Sequence, residues 1–502
     1  MKNGNFSLKA KMIDISARVD TGIVLINQQD CNQFSIKPGS NLAMHIKGRT
    51  IVVHLDITDT LIKQGEVGIF KDLADREKIN NREVIEFSLI GVKKPASLEA
   101  IQKNITGAEL SYEEMHSIIS DIVARKLNDV AIAFFVASSF MGRISSQELF
   151  YLTKAMSESG KKIGFPGIVA DKHSIGGLCG NETTPIIVPI VASFGIYIPK
   201  TCSRAITSAS GTADTFEVLA PVSFSTDELK KIVSKTKGCI IWGAGEVAPA
   251  DSIILDVASQ ILIESFPKMV ASIIAKKVAL GVKYLVIDIP VNKSAKIKNI
   301  KEGKRLEEMF LNITKKFGIK AIVSFNPVNG PIGRGIGSAL QARDDLRVLE
   351  QKANRPLDLE YRALELASYI LELTRVVSEG QGRRAALEAL KSGRALMKMK
   401  AIIAAQGGNP DITSEKIKLG RTTQVIKSFK TGTVKTIDSI HVSEICRILG
   451  SPFIKEAGIY LLKKMGEYVK KDEPICIFYT TTDFRLELAL KTLKTKQIFE
   501  IV

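Results

Sequence analysis

Twice between Asp171 and Glu217 the chain passes from a short apolar stretch through a Gly- and Ser/Thr-rich segment into a helix-like apolar run. The segments are DKHSIGGLCGNETTP and KTCSRAITSASGTADTFE. The stretches before them, Pro166 to Ala170 and Gly195 to Pro199, read as strands. A strand–loop–helix unit repeated so closely constrains the fold to layered α/β architecture. Glycines let backbone approach an anion, and the unpaired N–H groups of a helix start point at it. Lys172 and Arg204 add cationic donors; Ser174, Thr183, Thr184, Ser203, Thr207, Ser208 and Thr212 add hydroxyls. Two such loops so close together predict one site for a phosphate-bearing ligand.

The alternation continues. From Phe165 to about Asp411, strand-like runs (Ile168 to Ala170, Cys239 to Trp242, Tyr284 to Ile289, Ala321 to Phe325) are interleaved with helical ones. This predicts an α/β sheet with ligand loops at strand ends. Residues 1–84 read as short β segments, with alternation at Thr50 to Leu55 and Glu83 to Ser88 and a turn at Lys37-Pro38-Gly39. Two helices follow, each opened by a capping box, Ser111-x-x-Glu114 and Ser145-x-x-Glu148. After about Gly420 the tail reads as strands around Gly432, Gly458 and Gly466 with one or two helices. Met397-Lys398-Met399 imitates a biotinyl-lysine motif, but its Leu/Ala/Lys-rich setting predicts a helix and no such cofactor.

A chain of 502 residues exceeds a single core and implies roughly three or four domains. No run of eighteen apolar residues occurs. The longest candidate, Ile186 to Ile198, is broken by Pro189, Ser193 and Gly195 and reads as a buried helix, so no membrane partner is expected. The MKNGNFSLKAKMID start lacks a secretory h-region. Six cysteines without C-x-x-C spacing predict reduced thiols in a cytoplasmic protein and no zinc. The net charge of +17 is spread along the chain. Its densest stretch, Lys293 to Arg305, reads as a solvated loop and helix face, so small anions are expected as partners and nucleic acid is not.

The two loops carry KHS-x-GG and SR-x(6)-GT-x-D-x(2)-E, and the chain resembles the thymidine phosphorylase/AMP phosphorylase family in them. SRAITSASGTAD at Ser203 to Asp214 is closer to the long-form AMP phosphorylases. The resemblance continues through APAD (Ala248 to Asp251), AKK (Ala275 to Lys277), IDIP (Ile287 to Pro290), PIGRGIG (Pro331 to Gly337) and AQGGNP (Ala405 to Pro410). It implies an α/β, nucleoside phosphorylase-like fold with four parts. These are a small β-rich N-terminal domain (1–84), a helical domain (85–164, with 265–281 returning to it), a large α/β phosphate-binding domain (165–415) and an α+β C-terminal domain (416–502). It also implies a homodimer or larger homo-oligomer. The activity implied is phosphorolysis of the N-glycosidic bond of an AMP-like nucleoside 5′-monophosphate, giving free base and ribose 1,5-bisphosphate. Inorganic phosphate would be a co-substrate, with no metal or other cofactor. Thymidine phosphorolysis and a catalytically impaired nucleotide-binding protein are the alternatives.

Residue by residue, the resemblance places inorganic phosphate on Lys172, Ser174, Gly176, Thr183 and Thr184. His173 is poised to bond base or sugar or to brace the loop. Gly177, Ser203, Arg204, Ala205, Ile206, Thr207, Ser208 and Thr212 would contact the nucleotide. Ser272 and Lys276, spaced i, i+4, share a helix face that can grip a polar base edge, and Lys296 matches a nucleotide-contacting position. Glu264 falls where relatives place an aspartate proton donor, so Glu264, Lys172 and His173 are the expected catalytic set. Three departures stand out. Cys202 replaces a serine beside the phosphate, Glu182 replaces a basic residue, and Asp256 replaces an arginine expected to contact the nucleoside.

Overall fold

The computed structural model describes residues 5–17, 22–89, 95–140, 144–176, 178–205, 208–243, 246–260, 265–292, 295–327 and 330–502. The chain divides into two compact units, Met1–Ala108 with Ser120–Phe135, and Glu109–Ile119 with Val136–Val502.

The first unit has six strands, β1 (Asn5–Ile13), β2 (Gly22–Asn27), β3 (Asn41–Ile46), β4 (Arg49–Thr58), β5 (Glu66–Phe70) and β6 (Val84–Leu89); β1, β3 and β6 alternate buried with more exposed side chains, whereas β2 and β5 are buried along most of their length. They close into a barrel in the order β1-β5-β2-β4-β3-β6. Closure leaves no unpaired edge, and the inward residues, among them Leu8, Val24, Met44, Val53 and Phe87, fill the interior.

The second unit is built on parallel strands β7 (Ala170–Ser174), β8 (Ile198–Cys202), β9 (Gly238–Trp242), β10 (Tyr284–Val291) and β11 (Lys320–Pro327). They run β11-β10-β7 and β8-β9, and a parallel bridge between Val169 and Tyr197 links the two groups. The loops after β7 and β8 therefore leave from the same sheet edge, at the strands' carboxyl ends, where open α/β sheets bind ligands. The Thr184–Ala192 helix (TPIIVPIVA) is apolar all round and every residue in it is buried, as expected for a helix in the middle of a core. Pro185 lies in its first turn, where the missing N–H costs nothing.

Both site strands begin later than the sequence pattern suggests. Lys172, His173 and Ser174 belong to β7 itself, pairing with Val286, Ile287 and Asp288 of β10. Hydrophobicity marks only the buried first half of such a strand; its polar second half is held by backbone pairing to β10, which no local pattern reports. The Met397 region is helical, within Arg394–Ala405.

At the C-terminal end, β13 (Thr422–Lys427), β15 (Gly458–Leu461) and β17 (Pro474–Thr480) form a sheet with β12 (Gly335–Ile336). β14 (Gly432–Ile437), β16 (Tyr468–Val469) and β18 (Phe499–Ile501) form another. β12 is the fifth and sixth residues of the PIGRGIG motif and pairs antiparallel with β15. The glycines suit this close approach: a Cβ on Gly458 would lie 2.1 Å from the Ile336 carbonyl oxygen. All six cysteines are unpaired thiols. Among the described residues, no helix is long and apolar enough to cross a membrane.

Gly180, at φ +69°, ties the first loop to PIGRGIG, since a Cβ there would lie 2.0 Å from the Ile332 carbonyl oxygen. Gly180→Ala is expected to destabilise the chain by at least ~2 kcal/mol, from strain and overlap together. Denaturant unfolding checks this; an unchanged midpoint refutes the close approach.

Candidate active site

The site grows from the carboxyl end of β7. Asp171, wholly buried, accepts Lys277 Nζ at 2.5 Å on one oxygen and faces Lys200 Nζ at 3.6 Å on the other. It also accepts the Lys172 N–H at 2.7 Å. Lys200 lies on β8 and Lys277 on the Phe266–Ala279 helix, so one carboxylate joins two strands and a helix. Burial lowers Lys277 to about 8, against the pull of Asp171.

Lys172 is also buried and is pushed down to about 8 by that burial, with Asp288 opposing. Its ammonium donates to Thr183 Oγ1 at 2.8 Å, which brings the two ends of the first loop together. Ser174 donates to Asp288 Oδ2 at 2.8 Å, and Asn181 donates to the same oxygen at 3.2 Å. Arg362 binds the other oxygen. The Ser174 proton is thus engaged with Asp288, and a phosphate must compete for it. Gly176 has φ +82°, a conformation that suits glycine. Thr183 and Thr184 are buried at the start of the Thr184–Ala192 helix.

His173 has a shielded Nδ1 with no hydrogen-bond partner. Burial, reinforced by Lys200, Lys277, Lys276 and Lys172, holds its pKa well below the usual histidine range. The imidazole is therefore neutral at physiological pH, able to donate or accept a hydrogen bond to a ligand without adding charge.

In the second loop Arg204 is engaged with carboxylates. It donates to Glu217 at 2.6 and 2.7 Å and to Asp214 at 3.1 Å, and its guanidinium lies 5.4 Å from the centre of the Trp242 ring. Lys455 adds a second cation, 2.8 Å from Glu217 and 3.5 Å from Asp214. Arg204 holds Glu217 down at about 2. Asp214 also accepts the Ala205 and Gly211 N–H groups at 2.7 and 3.0 Å, closing the loop on itself. Ser203 is exposed, and Ser208 donates to the Ser210 carbonyl at 3.0 Å. Thr212 donates to both oxygens of Glu182, at 2.9 and 3.1 Å, which links the second loop to the first. Cys202 donates its thiol to the Ile241 carbonyl at 3.0 Å, and burial pushes it up to about 12, so it is neutral.

Ser272 and Lys276 meet on one face of the Phe266–Ala279 helix at 3.3 Å, and Lys276 is paired with Asp251 of APAD at 2.5 Å. That helix packs on the Ser146–Glu158 helix. Lys296 follows the carboxyl end of β10 and is half-buried. Asp256 is exposed on the Pro249–Gln260 helix, away from its buried Ile253, Ile254 and Val257. Gly177, Ile206, Thr207 and Glu264 lie outside the described residues. Among the described residues, no group of three or more His, Cys, Asp or Glu side chains is arranged to hold a metal ion.

Residue patterns alone gave no role to Asp171, Lys200, Asp288, Asp345, Arg362 or Lys455. The sole local signal is a charged residue inside or beside an apolar strand-like run, as at Asp171, Lys200 and Asp288; Asp345, Arg362 and Lys455 lie far along the chain.

Comparison with known proteins identifies the family and the fold. Residues 167–396 match the family model described as "Glycosyl transferase family, a/b domain". Residues 98–160 match "Glycosyl transferase family, helical bundle domain", and 433–500 match "Pyrimidine nucleoside phosphorylase C-terminal domain". The chain is 37% identical over 488 residues to an AMP phosphorylase of Methanospirillum hungatei, covering 96% of this chain and 93% of that one. It is 35% identical over 496 residues to AMP phosphorylase 2 of Archaeoglobus fulgidus, covering 98% and 97%. Its fold is similar to anthranilate phosphoribosyltransferase from Thermus thermophilus, with a TM-score of 0.52 at 16% identity, covering 62% of this chain and 99% of that one.

Asp171→Ala would strand Lys277 and Lys200 in the interior and is expected to cost about 3–5 kcal/mol. Denaturant unfolding measures it. A loss under about 1 kcal/mol, no more than an exposed pair contributes, refutes the central role of Asp171.

Proposed function

Since the chain belongs to the thymidine phosphorylase/AMP phosphorylase family, we propose that its α/β site cleaves the N-glycosidic bond of AMP, or of a close nucleoside 5′-monophosphate, by attack of inorganic phosphate. The products are free base and ribose 1,5-bisphosphate, and the enzyme is a pentosyltransferase. The observation that carries the reading is the pair of anion-type loops leaving one sheet edge and joined through Thr212 and Glu182, in a chain that is similar to AMP phosphorylases along nearly its whole length.

In this reading Lys172, Ser174, Gly176, Thr183 and Thr184 receive the attacking phosphate. The 203–208 segment with Thr212 receives the nucleotide's own phosphate, and its Arg204 must exchange part of its hold on Glu217 for that ligand. Ser272 and Lys276 face the base, with Lys296 beside them and Glu264 as proton donor to the departing base. Positioning and fixed charge supply the rate without a metal or redox cofactor. The neutral His173 contributes a hydrogen bond at no electrostatic cost. We place the enzyme in the cytoplasm as a homodimer or larger homo-oligomer.

A panel of AMP, CMP, UMP, dTMP, thymidine, uridine and adenosine with inorganic phosphate tests the substrate. AMP is expected to release base fastest, and only when phosphate is present. Fastest release from thymidine would overturn the nucleotide reading, and release in phosphate-free buffer would make the reaction hydrolysis. Binding of AMP with no base release from any compound would leave a nucleotide-binding protein.

Lys172→Ala is expected to weaken inorganic phosphate by about 1–3 kcal/mol, the value of a charge-assisted contact, and nucleotide much less. Calorimetric titration with each ligand checks the assignment. The reverse ranking would exchange the roles of the two loops.

A further inference from the structure

The proposed phosphate cradle contains a carboxylate among its donors. Glu182 immediately precedes Thr183, the partner of Lys172, and is 4% exposed. The Thr212 hydroxyl is held by both Glu182 oxygens. Lys172 from β7 and Lys200 from β8 act on Glu182 as cations, and Asp214 from the Thr212–Phe216 helix acts as an anion. Asp345, on the Ser338–Leu349 helix, is repelled in turn by Glu182 and by Asp344. Asp345 is wholly buried, and neither of its carboxyl oxygens has a hydrogen-bond partner. Two buried carboxyls that share Lys172 as counter-charge do not both ionise readily. Burial pushes Asp345 well above the usual carboxylate range, and it pushes Glu182 up to about 7 against the pull of Lys172.

An anion entering this cradle next to an ionised Glu182 is repelled unless a proton lies between them. We propose that Glu182 makes the site selective for an oxyanion that brings its own proton, so that hydrogenphosphate is admitted and sulfate is refused. This rests on the assignment of the first loop to inorganic phosphate. Hydrogenphosphate donates its O–H to the Glu182 carboxylate and presents its remaining oxygens to Lys172 and the loop hydroxyls. Sulfate has the same shape and charge but carries no proton at neutral pH, so its oxygens meet the carboxylate as acceptor against acceptor. As pH falls through about 7, Glu182 takes up a proton and becomes a donor, and the bar to sulfate lifts. Lys172, held at about 8, loses charge over the neighbouring range and weakens both oxyanions alike, so the pH dependence specific to sulfate over phosphate is the part that Glu182 sets.

The test is calorimetric titration of the full chain with inorganic phosphate and with sodium sulfate at pH 6, 7 and 8, for the natural chain, Glu182→Gln and Lys172→Ala. In the natural chain, the sulfate-to-phosphate affinity ratio is expected to fall towards ~10-fold per pH unit above neutrality, the limit for the one proton linked through Glu182. Glu182→Gln, whose amide donates at every pH, is expected to keep the same sulfate-to-phosphate affinity ratio at pH 6 and 8, within about 10-fold of unity, one pKa unit's worth of discrimination. An equal sulfate-to-phosphate ratio in the natural chain at pH 6 and 8 would overturn the proposal. So would a Glu182→Gln chain that refuses sulfate as firmly as the natural one. If that variant does not fold, the pH series on the natural chain decides alone. Unchanged phosphate binding in Lys172→Ala would instead show that the phosphate site itself is misassigned.

Discussion

The Asp171 carboxylate is the interaction on which the second unit's chemistry depends. It has no access to water and has Lys277 and Lys200 against it, with the next residue's own N–H on one of its oxygens. A single buried anion with two cations is favourable only where geometry and hydrogen bonding offset desolvation. Here it fixes β7, β8 and the Phe266–Ala279 helix with respect to one another. The first loop, the second loop and the Ser272/Lys276 face therefore have their relative positions set by one group that touches none of the proposed ligand atoms.

The same economy recurs outward from it. Each major cation of the proposed site already has an acid or hydroxyl partner: Lys172 has Thr183, Lys276 has Asp251, and Arg204 has Glu217 and Asp214. Such pairing preorganises the donors, so a ligand meets groups whose rotamers are already fixed. It also means that binding exchanges one set of charge-assisted bonds for another, and affinity reflects the difference. Glu182 departs from this arrangement: it is a carboxylate held by a hydroxyl in the middle of the cradle.

The glycine-rich PIGRGIG segment shows how a motif can be structural while lying beside the chemistry. It supplies β12 to the C-terminal sheet, and Asp344 fastens it by accepting the Arg334 and Gly335 N–H groups at 2.9 and 2.7 Å. Its neighbour Asp345 is the buried carboxyl that Glu182 repels. The C-terminal sheet, the PIGRGIG turn and the acid beside the phosphate cradle are consequently one continuous construction.

Alternation of apolar strands with helical runs determined the α/β class, and the Gly- and hydroxyl-rich loops marked the site, because both signals are local. Capping boxes at Ser111 and Ser145 were legible for the same reason: each is closed within four residues. β7 and β8 start later than their apolar runs do, since polar strand residues are stabilised by pairing with distant backbone. The partners of the site residues were hidden from the sequence altogether. Asp288 meets Ser174 across 114 positions, and Asp171 meets Lys277 across 106. The sequence by itself determined which residue types were available to hold an anion. Only the tertiary structure decided which of them are already neutralised, because the cost of a buried charge depends on what the fold brings against it.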